Sequence, residues 1–147
     1  YNFAAGKYER CKKTLKVAIG FGVALMMIGV VLFETIPGQM LYVFSHDPEV
    51  IRIGVVAFRF IGISFVPLVS SLTFPVFFQA LGHAATSSIL TIIRTVFLFI
   101  PLAYLFSRFG LNWFWLTFPV TDSITTLAGY LFYRKFNKSM TSVVVEA

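Results

Sequence analysis

The sequence predicts an all-α, polytopic membrane helix bundle with about four transmembrane helices, and three observations carry that prediction. Hydrophobic residues make up 58% of the 147 residues and charged residues only 12%, whereas soluble domains carry roughly 25% charged residues. The apolar residues fall into four long runs, and a bilayer core needs about 20 such residues per helix. The cations gather at the ends of those runs. This composition excludes an ordinary soluble enzyme and a disordered chain. The net charge of +6 does not point to nucleic acid, because the Lys and Arg residues flank apolar runs and so read as topology signals and headgroup contacts.

The first 16 residues hold Lys7, Arg10, Lys12, Lys13 and Lys16 and read as a basic cytoplasmic loop. No small-residue cleavage site follows the next apolar run, so no removable signal is expected. The chain opens on Tyr1 rather than Met, which suggests a piece of a longer protein. The first span is expected at 17–33, reaching Leu41 if the Pro37-Gly38 break is tolerated. Its small-residue pairs, Gly20/Ala24 and Ala18/Gly22, would let a neighbouring backbone approach closely.

Ser45-His46-Asp47-Pro48-Glu49 reads as a turn and a helix start, with Asp47 as N-cap and Pro48 at the first helical position. The second span follows over 51–82, with Arg52 and Arg59 in protruding outer turns. A polar turn at 82–88 leads into the third span at 89–106. The fourth runs over 111–133, and the basic residues Arg134, Lys135 and Lys138 open a tail over 134–147. Both ends of the chain are basic and the first loop is acidic, so both termini are expected in the cytoplasm.

Asp122 is the most informative residue. It lies in mid-span, where a carboxylate is costly and usually faces a cavity or a partner. Asp122, Thr125, Thr126 and Gly129 share one helical face, a candidate path for a proton, a cation or a substrate. The alternative is a buried Asp paired with an Arg or a hydroxyl, holding helices together. Arg94 is expected to reach out to the cytoplasmic headgroups, or else to face the bundle and pair with an acid. Gln79 could hydrogen-bond across helices.

Pro67, Pro75, Pro101 and Pro119 are expected to break the last three spans and to release the carbonyls of Ile63, Ser71, Phe97 and Trp115. Such breaks are common in transporters. Leu72-Thr73-Phe74-Pro75-Val76 recurs as Leu116-Thr117-Phe118-Pro119-Val120, but the flanks do not match. The single Cys11 excludes an internal disulfide framework. His46 and His83 form no metal cluster. No nucleophile–base pair, phosphate loop or cofactor motif is present, so neither enzyme activity nor a cofactor is expected.

Several stretches share an order. They run from Tyr1-Asn2-Phe3 to Tyr8-Glu9-Arg10, then Asp47-Pro48-Glu49-Val50-Ile51, Phe78-Gln79-Ala80-Leu81-Gly82, Pro101-Leu102-Ala103-Tyr104-Leu105, and Phe109-Gly110-Leu111-Asn112 up to Pro119-Val120-Thr121-Asp122. Together they resemble the C-terminal part of a bacterial multidrug and toxic compound extrusion (MATE) transporter. The resemblance implies a twelve-helix, two-lobe protein of which this chain supplies the ninth to twelfth helices. It implies a multi-pass protein of the bacterial inner membrane that exports cationic or amphipathic drug-like compounds in exchange for H⁺ or Na⁺. Its partners would be those compounds, membrane lipids and the missing N-terminal part, with no nucleic acid.

The chain departs from the family pattern in three places. The stretch 60–82 lacks the acidic cation ligand of one branch, and the first-helix Asp of another branch has no counterpart here. Bulky Trp113 and Phe114 stand where many relatives have small residues. Two other readings are a lipid-linked polysaccharide or lipid flippase of the same superfamily and a small four-helix oligomeric membrane subunit.

Overall fold

The computed structural model describes the backbone of residues 1–145 and the side chains of residues 1–139. Its regular elements are all helical. Helix α1 (Tyr8–Thr35) begins well before the apolar run. The expected basic loop over 1–16 is therefore loop only as far as Lys7, and Arg10 to Lys16 extend the helix outward. Proline ends the element cleanly, because Pro37 opens α2 (Pro37–Tyr42) at a first-turn position, where its missing N–H is no loss. The first span thus stops before Pro37 instead of running through to Leu41.

Helix α3 (Pro48–Ala80) starts as its sequence predicts. Asp47 Oδ1 accepts the Glu49 amide at 2.8 Å, and Pro48 takes the first turn. At 1.5 Å per residue its length is about 50 Å, more than a bilayer core of about 30 Å requires. Gly82 terminates it in the left-handed region, at φ 80°. The His83 amide bonds the Phe78 carbonyl at 2.8 Å and the Gly82 amide bonds Gln79 at 3.0 Å, the paired closure of a Schellman motif. Helix α4 (Ala84–Ile92) follows at once. The expected polar turn over 82–88 is therefore helical from Ala84. In lipid, Ser and Thr can stay in a helix by bonding back to the preceding turn, as Thr91 does to the Ser87 carbonyl at 3.0 Å.

The third span continues as a π-helical segment, π1 (Ile93–Phe99), and then as α5 (Ile100–Ser107). Pro101 sits in the first turn of α5. A proline clashes with the carbonyl four residues back, and the wider π turn ahead of Pro101 makes room for its ring. After a turn at Gly110 comes α6 (Leu111–Phe114), and then α7 (Thr117–Val145). The fourth span is thus split at Trp115-Leu116, and Pro119 occupies the first turn of α7 rather than an interior kink. The tail expected over 134–147 is helical as far as Val145.

Among the described residues three helices are long and apolar enough to cross a membrane: Tyr8–Thr35, Pro48–Ala80 and Ala84–Ser107. The fourth span expected from the sequence does not meet that measure, because the threonines and Asp122 of α7 lower its hydropathy. Helix α3 is the hub, with α1 on one side and α7 on another. Along the α1–α3 seam a Cβ on Gly22 would lie 2.7 Å from Val69 Cγ1, and one on Gly29 would lie 2.8 Å from Phe65 Cε2. Phe33 stacks on Phe58 with ring centroids 4.3 Å apart. Gly22 does serve close packing as expected, but Gly20 faces open space. At the basic end Leu15, Phe74, Phe78 and Leu90 form a buried cluster, flanked by Phe132, Tyr133 and Phe136 of α7. Large apolar side chains elsewhere point outward, Phe21 and Phe97 among them. Lipid is the surroundings in which such a surface is stable.

Candidate functional site

The third span, α3 and α7 meet at one buried polar centre. Because the third span starts at Ala84 rather than at the expected residue 89, Arg94 lies about 15 Å along it, about three turns from the end. Arg94 does not snorkel: its Nε donates to Asp122 Oδ1 at 2.9 Å. The Asp122 side chain is 3% exposed and that of Arg94 is 28% exposed, so the carboxylate is the desolvated partner. Of the two arrangements open to Arg94, bundle-facing pairing is the one adopted. The π segment that carries it packs on α7; π turns are frequent at functional sites.

A third helix contributes Ser71, fully buried on α3. Its Oγ lies 2.9 Å from Asp122 Oδ1 and 3.0 Å from the Leu68 carbonyl. A hydroxyl has one proton, so it donates to one of these acceptors at a time. Both contacts to Asp122 converge on Oδ1, and Arg94 engages through Nε alone instead of a two-point fork. The pair is therefore bound without being saturated.

The threonine face predicted on α7 is directed at α3. Thr126 Oγ1 donates to the Pro67 carbonyl at 2.8 Å, which ties α7 to a proline-containing turn of α3. Gly129 completes the face. A Cβ there would lie 2.6–2.8 Å from Phe74 Cδ2, Cβ and Cγ. Thr121 and Thr125 are each 1% exposed, and their hydroxyls are buried without a protein partner among the described residues. The same holds for Trp115 Nε1. Polar atoms left in this condition mark a place where polar company is called for.

Of the sequence-predicted residues, Asp122, Arg94, Thr125 and Thr126 come together. Gln79 does not: it is exposed and lies about 12 Å along α3 from Ser71. Ser71 was missed. The available signal was a Ser70-Ser71 pair inside an apolar run bracketed by Pro67 and Pro75. Among the described residues no three His, Cys, Asp or Glu side chains gather as metal ligands. At the end away from the aromatic cluster, a cleft of about 440 Å³ opens between the start of α3 and the α5–α6 turn, lined among others by Arg52, Val56, Phe109 and Trp113.

None of the curated proteins compared with the chain matches it. A solved structure described as a crystal structure of MATE in complex with MaL6 superimposes with a TM-score of 0.87 at 20% identity, over 96% of this chain. At that identity the likeness establishes the fold. The chain spans about a third of the length of that structure, 33%. The family model MatE matches residues 1–105, which include Ser71 and Arg94 but stop short of α7. With its long apolar helices and this match over most of its length, the chain is a multi-pass membrane protein that belongs to the MatE family of transporters.

Proposed function

We propose that the chain is the C-terminal part of a secondary active antiporter that exports cationic or amphipathic compounds in exchange for H⁺ or Na⁺, with α7 as a fourth membrane crossing. The observation that carries this reading is the Asp122–Arg94 pair, a buried carboxylate in the second turn of α7 whose counter-cation comes from a π-helical segment. Intramembrane ionisable residues usually mark substrate or ion pathways.

A carboxylate already neutralised by an internal guanidinium sets the chemistry. A cation arriving at Asp122 must displace Arg94, and a proton arriving there weakens the pair. Either event changes what holds the third span to α7. The single-point contact through Nε makes such an exchange less costly than breaking a two-point fork would be.

The test is efflux of a cationic dye by the intact protein in cells stripped of other pumps, with Asp122→Asn compared at equal membrane abundance. The expected result is a loss of efflux of about tenfold or more, the size of effect that follows from losing about 1.4 kcal/mol or more of binding to a transported ion. Unchanged efflux at unchanged abundance overturns the role of Asp122. Translocation of a lipid-linked sugar by the wild-type protein, without dye efflux, would replace the drug pump by a flippase.

A further inference from the structure

The two ends of the described chain meet. The Phe3 ring lies 6.1 Å from Phe136 and 5.6 Å from Tyr8, and His83 of the α3–α4 turn lies 5.1 Å from Phe136. This aromatic collar brings the start of α1 against the later part of α7 and joins two basic segments that are distant in sequence. From the first come Lys7, Arg10, Lys13 and Lys16, all exposed. From the second come Arg134, Lys135 and Lys138, also exposed. Among the described residues none of these seven has an acid partner, since the nearby Glu9 is taken by Lys12 at 2.7 Å.

The placement works against the helix that carries it. Cations in the first turns of a helix oppose its macrodipole, and Arg10 and Lys13 lie in the first two turns of α1. The amide end of a 28-residue helix and seven like charges therefore add to one positive field. Topology accounts for basic residues at the ends of spans; what the fold adds is that two such segments, far apart in sequence, are brought to one place, where a polyanion can bind both. The patch also sits where the apolar run of α1 begins, the level of a bilayer's headgroups.

We propose that this end of the bundle is a docking surface for anionic phospholipid headgroups, with both basic segments contributing to one site around the aromatic collar. The phosphates take the exposed Lys and Arg residues. The aromatic rings occupy the interfacial layer, where such side chains are favoured.

The experiment uses the intact protein reconstituted in phosphatidylcholine vesicles with spin-labelled lipids. The immobilised fraction of labelled phosphatidylglycerol is compared with that of labelled phosphatidylcholine. The expected result is a preference for phosphatidylglycerol of about threefold or more at low salt, since each basic residue near the surface attracts anionic lipid. It should fall toward unity at about 1 M salt, where the Debye length is about 3 Å. Arg134→Gln/Lys135→Gln/Lys138→Gln and, separately, Lys13→Gln/Lys16→Gln should each reduce the preference. The salt titration on the wild-type protein decides the matter even if either variant inserts poorly. Equal immobilisation of the two lipids, or a preference that salt leaves intact, overturns the proposal. Loss of the preference in millimolar inorganic phosphate at matched ionic strength also overturns it and assigns the patch to a soluble phosphate ligand.

Discussion

The two seams of α3 are built on opposite principles. Against α1 the contact is apolar and shaped by steps in side-chain size, with Gly22 opposite Val69, Gly29 opposite Phe65 and Phe33 stacked on Phe58. Against α7 it is a polar strip in which Asp122, Ser71 and Thr126 bond across the interface. Lipid tails are as apolar as leucine, so two membrane helices gain nothing from hiding apolar surface from water. They associate through close packing or through polar bonds; the α1 seam uses the first, and the α7 seam adds the second to a close contact at Gly129 and Phe74. The packed seam can slip by a small rotation without stranding a polar group. The bonded seam cannot, because any slip leaves a carboxylate or a hydroxyl unpaired in hydrocarbon. Motion of α1 over α3 is therefore the less costly of the two.

Thermal unfolding in detergent can break this comparison at either seam. The largest effect is expected from Arg94→Leu, which leaves the Asp122 carboxylate buried and alone. Removal of one member of a buried pair costs about 3–5 kcal/mol, and the 28% exposure of Arg94 puts the expectation at about 3. Arg94→Leu/Asp122→Leu should recover most of that loss; if it does not, the pair is not the source of the damage. Next is Gly129→Val, which drives a side chain into the Cβ of Phe74. Overpacking of this kind costs about 1–3 kcal/mol, and because a Cβ cannot swing aside the upper half of that range is expected. Gly22→Ala brings a methyl to 2.7 Å from Val69 Cγ1 and should cost about 1 kcal/mol. Ser71→Ala removes one hydrogen bond to Asp122, also worth about 1 kcal/mol. It should act through the bonded seam alone, so that combined with Gly22→Ala the losses add; clear non-additivity would mean that the seams are coupled through α3. The smallest effect belongs to Gly20→Ala. Nothing lies within 4 Å of the added methyl, and the better helix former should stabilise by a few tenths of a kcal/mol, up to about 1.

Much of the bonded seam was legible in the sequence. The i, i+3, i+4 and i+7 spacing of Asp122, Thr125, Thr126 and Gly129 put them on one face before any neighbour was known. The direction of Arg94 was not legible, because it depended on where the third span begins. Thr86, Ser87 and Ser88 read as a turn, yet all three are helical, and the shift of the start to Ala84 puts Arg94 about three turns into the span. Ser71 was hidden for another reason: its partner is 51 residues away, beyond the reach of any local pattern. The repeated pentapeptide shows the same limit. In its first copy Pro75 lies deep inside α3, and in its second Pro119 lies in the opening turn of α7. Identical letters acquire different structure because helix ends are set by their flanks, here Trp115-Leu116 in one case and an unbroken apolar run in the other.

The 28 residues between Arg94 and Asp122 also have a meaning in time. Arg94 leaves the ribosome first, and at about 5–20 residues per second its partner follows about 1.5–6 s later. Throughout that interval the carboxylate with which Arg94 pairs in the folded bundle has not yet been made. An unpaired Arg at the centre of a helix adds about 2.5–3.5 kcal/mol to insertion. The span is bound to α3 by the three-residue turn at Leu81–His83, so the two can enter the bilayer as a hairpin, with the apolar surface of α3 helping to draw the guanidinium in. The Arg94–Asp122 contact then forms only when α7 arrives, so the last helix completes the seating of the third span.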